Sequence, residues 1–264
     1  MNKVFSFVLA FGAVALFVTS IAAQEDMVKL IRSENYDVCG YQTGCGEVKD
    51  MLIQVMNTQY YKEVYAHHSL ADGSWVDIPA HYERSGNSVY ELWHIDPDQF
   101  SNYGPYSNQF VLKYIVGGQT YWDNNNGANY ILTGHSQNGP GPMLGNNINV
   151  LLRGASLYRD TIGNYLLSAS IDVRNIAYAK NVQLIYTTND WSTSTSLNAN
   201  YTVESQTGWC SLISWPNAYS IERWKISSVP VTGSSIKFYI SYTVNNITYY
   251  DNNYGANYNV SSQN

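Results

Sequence analysis

Two stretches of the chain, "YWDNNNGANYIL" in the middle and "YYDNNYGANYNV" near the end, hold the residue types that can bind a sugar. An aromatic ring stacks on the apolar C–H face of a sugar, and an asparagine amide offers donors and an acceptor to neighbouring hydroxyls. Each phrase supplies one leading aromatic residue and two asparagines: Trp122, Asn124 and Asn129, then Tyr250, Asn252 and Asn257. Sugar binding is one interpretation; core packing of the rings and turn formation by the asparagines is the other.

The same phrases contain oxygen ligands and a glycine, as a calcium-binding loop does. An EF-hand loop needs acidic or amide residues at alternate positions and a closing glutamate. Each phrase has one aspartate, Asp123 or Asp251, and no glutamate at the required distance. We therefore expect these aspartates to cap turns and the phrases to bind no metal.

The composition excludes some partners. The net charge is −6, only 13% of the residues are charged, and there are 24 tyrosines and 7 tryptophans. Nucleic acids and anionic membranes are bound by basic patches, so neither is an expected partner. The polar but weakly charged surface is suited to a neutral ligand rich in hydroxyl groups.

The first residues have the pattern of a secretory signal peptide. Lys3 supplies a positive charge, residues 5–18 are apolar, and Ala22 and Ala23 offer a cleavage point. An N-terminal membrane anchor is the alternative, although the apolar run is short for a span. We expect a secreted, extracellular protein without a membrane partner.

Cysteines and glycosylation sequons agree with that compartment. Cys39 and Cys45 lie close together among glycines, so we expect a disulfide between them, with Cys210 either free or paired between chains. The pattern does not match a zinc site. Three sequons lie in the second half, at Asn200, Asn246 and Asn259.

The chain contains an internal duplication. "IQVMNTQYYKEV" from Ile53 is similar to "IDVRNIAYAKNV" from Ile171, and "LWHI" from Leu92 is similar to "RWKI" from Arg223. Together with the two asparagine-rich phrases, these anchors recur in the same order. The predicted organisation is a signal peptide, a first module, a linker and a second module: 1–23, 24–132, 133–149 and 150–264.

Within each copy, short segments alternate apolar and polar residues between Gly, Asn and Ser turns, which predicts strands. Many short strands in a module of this length predict an all-β fold, with two immunoglobulin-like antiparallel β-sandwiches. The Gly- and Pro-rich segment between them is expected to be a flexible spacer.

The phrase Tyr-(Tyr/Trp)-Asp-Asn-Asn-x-Gly-Ala-Asn-Tyr resembles the signature of family 21 carbohydrate-binding modules. These are the starch-binding domains of some mould glucoamylases and of glycogen-targeting subunits of protein phosphatase one. "VRNIAYAKNVQLIYTTNDW" and "IKFYISYTVNNITYYDNNYGANYNV" in the second copy resemble the starch-binding domain of a mucoralean mould glucoamylase most closely. Each of the two copies resembles the family, so that together they account for essentially the whole mature chain except the linker.

The resemblance implies a β-sandwich with two α-glucan sites in each module. The first site of the second module would comprise five residues: Trp191, Tyr239, Tyr250, Asn252 and Asn257. The second site would comprise a lysine and three aromatic residues: Tyr178, Lys180, Tyr201 and Tyr219, with Trp215 as the alternative to Tyr219. Trp224 is expected in the core. A glycan on Asn200 would lie beside Tyr201 and could block this second site.

The first module matches the family less well. Its first site would comprise two tryptophans and two asparagines: Trp75, Trp122, Asn124 and Asn129. The position equivalent to Tyr239 is Val111, which cannot stack on a sugar. The second site would comprise a lysine and three tyrosines: Tyr60, Lys62, Tyr82 and Tyr90.

An enzyme is not expected. Glycoside hydrolysis needs two facing carboxylates, and Asp123 and Asp251 have no paired acid in common. All five histidines lie in the first half or the linker, so the twin module lacks them. His67 and His68 are adjacent and could bind a metal, but neighbouring side chains of a strand point apart.

The predicted function is secreted, non-catalytic binding of α-1,4-glucan, starch or glycogen-like, through tandem modules whose linkage raises avidity. Whether a separate amylase is a partner stays open. The alternative is an extracellular or cell-wall interaction protein with a different glycan or a protein ligand. The mature chain lacks the basic-Val-x-Phe docking motif of the phosphatase-targeting branch.

Overall fold

The computed structural model describes residues 27–40, 44–101, 106–132, 141–207 and 211–262. The predicted signal peptide and Cys210 lie outside these residues. The backbone pairs Cys39 opposite Cys45 on neighbouring strands, but their side chains are outside the described part, so the disulfide stays a prediction.

The first module consists of two antiparallel sheets. Its elements in chain order are β1 (Val28–Gly40), β2 (Gly44–Met56), β3 (Lys62–Leu70), β4 (Trp75–Pro79), β5 (His81–Ser85), β6 (Tyr90–Ile95), the short helix α1 (Pro97–Ser101), β7 (Tyr106–Val116), β8 (Gln119–Asp123), β9 (Tyr130–Ile131) and β10 (Gly141–Leu144). One sheet has the order β10-β1-β2-β6-β5 and the other β4-β3-β7-β8, with β9 also paired to β7.

The second module repeats this layout. Its elements are β11 (Val150–Arg159), β12 (Tyr165–Arg174), β13 (Lys180–Thr187), β14 (Thr195–Asn198), β15 (Asn200–Thr202), β16 (Glu204–Thr207), β17 (Ser211–Ser214), β18 (Ile221–Val231), β19 (Ser235–Val244), β20 (Ile247–Asp251), the single 3₁₀ turn η1 (Asn253–Gly255) and β21 (Tyr258–Ser261). The sheets have the orders β11-β12-β18-β15 and β14-β13-β19-β20, with β21 on β19 and a β16-β17 hairpin.

Each core lies between the two sheets of its module. Along β12, the alternate residues Leu167, Ala169 and Ile171 are buried, and they pack in one cluster with Phe238 and Tyr242 of β19. The period of two places every second side chain in the core. The prediction of an all-β chain with two antiparallel sandwich modules is confirmed. Within the described residues, no helix is long and apolar enough to cross a membrane.

The aspartate of the repeated phrase connects the two sheets of each module. In the first module, a carboxylate oxygen of Asp123 accepts the backbone N–H of Leu30 at 2.8 Å, and both oxygens accept the Tyr130 hydroxyl at 2.8 and 2.9 Å. The N–H of Asn125 donates to the same carboxylate at 3.2 Å, which caps the turn as expected.

Asp251 makes the equivalent contacts in the second module. It accepts the N–H of Leu152 at 2.6 Å, the hydroxyl of Tyr258 at 2.8 and 2.9 Å, and the N–H of Asn253 at 3.4 Å. The aspartate of each repeated phrase therefore links the turn after β8 or β20 to the first strand of the opposite sheet, β1 or β11.

Part of the segment expected to be a flexible spacer is a strand. Gly141–Leu144 pairs antiparallel with β1, with Leu144 opposite Arg32. This pairing satisfies the backbone groups along the free edge of β1, and it buries Leu144. A Cβ at Gly145 would lie 1.7 Å from the Leu30 carbonyl oxygen, so only glycine fits the end of this strand. The module boundaries themselves stay predictions.

The two modules contact each other. Tyr254, which replaces an asparagine of the first phrase, donates its hydroxyl to Gln54 Oε1 at 2.7 Å and packs against Gly86 and Tyr90 of the first module. An ion pair of 2.5 Å joins Glu34 to Arg153 of the second module. The modules are therefore joined by side-chain contacts as well as by the chain.

The buried carboxylate of Asp123 should contribute to the stability of the first module. Asp123→Asn should lower the free energy of unfolding by about 1–3 kcal/mol, because the amide replaces an acceptor with a donor that faces other donors. Chemical denaturation followed by tryptophan fluorescence measures this change. Asp72→Asn is the control, since its exposed side chain accepts from Ser74 and an amide oxygen can do the same. Equal effects of the two substitutions would contradict the role of Asp123.

Candidate carbohydrate-binding sites

Three aromatic rings form a continuous surface on the second module, the second-module platform, comprising Trp191, Tyr239 and Tyr250. The centroids of Trp191 and Tyr239 are 5.5 Å apart and those of Tyr239 and Tyr250 are 6.1 Å apart. Tyr239 lies on β19 and Tyr250 on the adjacent β20, where 62% of the Tyr250 side chain is exposed. The structure thus brings together the three aromatic residues predicted for the first site.

The loop that carries Trp191 is held in place by its own hydrogen bonds. Thr187 Oγ1 accepts the N–H of Trp191 at 3.0 Å, and Asp190 pairs with Lys237 of β19 at 2.6 Å. Asp190 and Trp191 both have positive φ angles, 52° and 69°. These bonds hold a backbone shape that L-residues seldom adopt, and so preorganise the ring.

Asn252 and Asn257 form the turn beside Tyr250. Asn252 Oδ1 accepts the N–H of Gly255 at 3.0 Å, and its carbonyl accepts the N–H of Asn257 at 2.7 Å. Asn257 has a φ of 60°, which asparagine tolerates better than most residues. Both interpretations of the phrase are therefore compatible: the asparagine oxygen shapes the turn, and the exposed Asn252 side chain lies next to the ring.

A histidine completes the equivalent surface of the first module, the first-module platform, comprising Trp75, His67 and Trp122. His67 stacks on Trp75 at 5.1 Å with an interplanar angle of 17°, and it meets Trp122 at 5.5 Å and 72°. Sequence reasoning missed this residue. Val111, which stands at the position equivalent to Tyr239, is buried.

The replacement follows from cross-strand pairing. His67 lies opposite Val111 in the first module, and Ile185 lies opposite Tyr239 in the second. The aromatic and the aliphatic residue have exchanged strands while the ring stays in the platform. Comparing cross-strand pairs, rather than single positions, would have revealed His67 from the sequence.

An ion-pair network adjoins the first-module platform. His67 Nδ1 lies 2.6 Å from Asp77 Oδ1, and Lys113 Nζ lies 2.5 Å from Asp77 Oδ2. Burial alone would raise the pKa of Asp77, but hydrogen bonds from Lys113 and His67 outweigh it and hold the pKa below its usual value. Lys113 also lies over the ring of Trp122, 5.8 Å from its centroid.

The asparagines of the first phrase occupy the same places as those of the second. Asn124 Oδ1 accepts the N–H of Gly127 at 2.9 Å, and Asn129, with a φ of 57°, donates to Gln109 Oε1 at 3.3 Å. The turn beside Trp122 therefore matches the turn beside Tyr250.

Each module has a second concave surface. In the second module it is lined by Asn175, Ile176, Ala177, Tyr178, Ala179, Lys180, Tyr201, Pro216, Glu222 and Trp224. In the first module it is lined by Asn57, Thr58, Gln59, Tyr60, Lys62, Tyr82, Glu91 and Trp93. Tyr178 and Tyr60 are 101% and 89% exposed, so their rings stand clear of the protein.

The lysines of these surfaces position other groups. The side chain of Lys180 is only 2% exposed, and its Nζ lies 2.6 Å from Asn175 Oδ1 and 2.8 Å from Glu222 Oε2. Glu222 in turn accepts the indole N–H of Trp224 at 3.0 Å. Lys180 was predicted as a binding residue; the geometry places it beneath the surface, where it orients Trp224 through Glu222.

The first module repeats this network. Lys62, 3% exposed, lies 2.6 Å from Asn57 Oδ1 and 2.9 Å from Glu91 Oε2, and Glu91 accepts the indole N–H of Trp93 at 3.1 Å. In both copies the glutamate is held by a buried lysine and accepts the indole N–H. The network therefore fixes the orientation of Trp93 or Trp224 in the surface.

Two predicted residues lie elsewhere. Tyr90 is on the face of β6 opposite to Trp93 because the two residues are three positions apart along the strand, and its ring centroid lies 6.3 Å from that of Tyr254. Tyr219 packs against the first module's core and against the cluster around Leu144. Both tyrosines therefore contribute to contacts between modules and not to the second surfaces.

The third aromatic residue of the second surface is Trp224, which was expected to be core. It is partly buried against the core and lines the surface with its remaining face. Trp215, the alternative considered, is buried with the Arg223 guanidinium 4.7 Å from its ring centroid.

Asn200 and Tyr201 are consecutive residues of β15, paired with Lys225 and Trp224 of β18. Consecutive side chains of a strand point to opposite faces. A glycan on Asn200 would therefore leave from the face opposite to the Tyr201 ring, and the blockage of the second site that the sequence left open does not follow from this geometry.

The chemistry available at these surfaces is stacking and hydrogen bonding. Their carboxylates Asp77, Glu91 and Glu222 are each paired with a lysine at 2.5 to 2.9 Å. Each of these carboxylates also contacts an aromatic side chain, His67, Trp93 or Trp224 respectively, so its oxygens serve to position neighbouring groups.

Known proteins with related sequences were compared with the chain. A 94-residue segment, 36% of this chain, is 33% identical to protein phosphatase 1 regulatory subunit 3B of Danio rerio and covers 30% of it. A 130-residue segment, 47% of this chain, is 41% identical to glucoamylase 1 of Rhizopus oryzae and covers 19% of it. The chain thus matches less than a third of either relative.

Two solved structures are also similar. The starch binding domain of Rhizopus oryzae glucoamylase, in complex with beta-cyclodextrin and maltoheptaose, is 30% identical over 44% of this chain and 94% of that one, with a TM-score of 0.31. The carbohydrate binding module of the muscle glycogen-targeting subunit of protein phosphatase-1 is 23% identical over 43% of this chain and 75% of that one, with a TM-score of 0.32.

Residues 43–133 and 146–261 each match the family described as carbohydrate/starch-binding module (family 21). These two segments cover most of the chain and correspond to its two sandwiches. The resemblance inferred from the asparagine-rich phrases is confirmed. The chain belongs to the family 21 carbohydrate-binding modules and contains two copies of the module.

Proposed function

We propose that this protein is a secreted, non-catalytic binder of α-1,4-glucan, in the form of starch or a glycogen-like polymer. The observation that carries the proposal is the second-module platform, where three rings and the Asn252 turn are held on rigid strands. The family membership and the glucan complex of the related glucoamylase domain support the same ligand class.

Preorganisation favours this ligand. A helical α-glucan presents a curved series of apolar sugar faces, and rings set at angles of 36° and 61° to each other can follow such a curve. Because hydrogen bonds already fix the Trp191 loop, binding orders few groups and costs little entropy.

Two modules suit a polymer better than a short sugar. The contacts through Tyr254 and Arg153 hold the modules together, so binding at one module brings the other near the same granule or polymer. Linked sites gain avidity only when both engage at once. Raw starch, with many parallel chains, satisfies this condition. The predicted signal peptide supports an extracellular setting, in which a separate amylase would be a natural partner.

A second candidate function is an extracellular interaction protein with a different glycan or a protein ligand. The observation in its favour is the network of His67, Asp77 and Lys113 beside the first-module platform, which the Ile185 and Tyr239 pair of the second module lacks. Charged groups at a sugar platform suit a ligand with charged or more varied substituents.

A pull-down on granular starch, with β-cyclodextrin as competitor, tests the main proposal. Trp191→Ala with Tyr250→Ala should weaken retention at least tenfold, because each stacking contact contributes about 1–3 kcal/mol, or about 5- to 150-fold. Tyr158→Ala is the matched control: this tyrosine is also exposed but lies outside the platforms.

Retention that cyclodextrin abolishes and the double variant weakens would support an α-glucan ligand. If the intact protein stays in solution with starch but is retained by β-glucan or chitin, the α-glucan proposal is wrong and the second candidate replaces it.

The first-module platform is tested in the background of the Trp191→Ala, Tyr250→Ala variant. His67→Ala should reduce the remaining starch binding about fivefold, and His67→Tyr should restore it, because the ring and not the charge completes the platform. Gln119→Ala, exposed at the start of β8, is the control. Residual binding that does not change with His67→Ala would show that this platform is not used.

The glycan geometry is tested with protein made in a glycosylating host. Asn200→Gln should leave starch binding unchanged, whereas Tyr178→Ala should weaken it, since Tyr178 stands in the second surface and Asn200 faces away from it. Isothermal titration with a linear maltooligosaccharide gives both affinities. A gain in affinity on Asn200→Gln would mean that the glycan does reach the surface.

A further inference from the structure

Two histidines and an aspartate converge on the outer face of the first module's sheet. His81 of β5 lies directly opposite His94 of β6, and Asp96 follows His94 by two residues, so all three point to one side. The ligand atoms of the three side chains lie within 4.8 Å of one another.

The distances fit a tetrahedral metal. His94 Nδ1 lies 3.0 Å from one Asp96 oxygen, and His81 Nδ1 lies 3.6 Å from the other. Zinc bonds of about 2.0–2.1 Å place tetrahedral ligand atoms about 3.3–3.4 Å apart. The two measured separations lie on either side of that value but end on different oxygens of Asp96, so the carboxylate would have to rotate to present one oxygen to both histidines.

A carboxylate behind the cluster orients His94. His94 Nε2 lies 2.7 Å from Asp50 Oδ2, and Asp50 is itself paired with Arg32 at 2.6 Å. Metal-binding histidines commonly donate their second ring N–H to a carboxylate, which fixes the ring and its tautomer. Here the contact with Asp50 leaves Nδ1 directed at Asp96.

The cluster is separate from the sugar-binding surfaces. Tyr82 and Trp93, the neighbours of His81 and His94 in sequence, point to the opposite face of the sheet and form the second surface. In the second module the corresponding positions are Asn200, Lys225 and Ser227, which cannot make such a site. The cluster is therefore present in one copy only and does not belong to the surfaces that the two modules share.

We propose that His81, His94 and Asp96 bind a divalent transition-metal ion, zinc by preference, with solvent as the remaining ligand. Two imidazoles and one carboxylate favour zinc, copper or nickel over calcium and magnesium. The ion would join the edge strand β5 to β6 and so stabilise this edge of the sheet. The inference is independent of the proposed glucan binding and differs from the sequence-based expectation of no metal.

The test uses the mature chain without an affinity tag, stripped with a chelator and titrated with zinc chloride by calorimetry. We expect one zinc ion per chain from this site and a rise in Tm on adding zinc. His81→Gln and Asp96→Asn should each weaken zinc binding at least tenfold and reduce the Tm rise. Asp98→Asn, a carboxylate two residues away and outside the cluster, should behave as the unaltered protein does.

A second readout is cobalt, whose visible absorption reports tetrahedral nitrogen and oxygen ligands. The cobalt spectrum should disappear in His81→Gln, because this exposed residue lies outside the core and its substitution removes one ligand. The proposal is overturned if zinc does not bind, or if it binds equally well to both variants. The orientation of His94 would then be explained by its contacts with Asp50 and Asp96 alone.

Discussion

The buried aspartate of the repeated phrase is the contact on which each module depends. Asp123 and Asp251 draw the turn after β8 or β20 onto the first strand of the opposite sheet by accepting a backbone N–H and a tyrosine hydroxyl. Because strand residues alternate, an aspartate that points inward makes the preceding Trp122 or Tyr250 point outward. The contact that closes the sandwich thus also presents the aromatic ring of each candidate platform.

The two modules share this contact but differ from each other to different extents in their other surfaces. The Lys–Glu–Trp network of the second surface is nearly superimposable in its distances, with Lys62 and Lys180 both buried. The platforms differ more: a ring on β3 in the first module replaces the ring on β19 in the second. The outer face also differs, since His81 and His94 correspond to Asn200 and Lys225. Packing limits which residues can replace the buried Asp123 and Asp251, whereas exposed positions tolerate substitution more easily.

The two modules are joined by direct contacts in addition to the segment of chain between them. The strand Gly141–Leu144 extends the first module's sheet, and Tyr254 inserts from the second module against Gly86. Both features use residues that a module by itself would leave exposed: an unpaired strand edge and a turn residue. The contacts limit how the four candidate surfaces are arranged relative to one another.

The sequence by itself determined the duplication, the all-β class, the turn role of the aspartates and most platform residues, because these depend on local alternation and on short motifs. Only the tertiary structure decided which side chains meet across strands. His67 could replace the missing ring because it pairs with Val111, and Tyr90 and Tyr219 turned toward the other module. Such contacts join residues far apart in the chain, and their geometry is set by register and sheet packing, which no local pattern specifies.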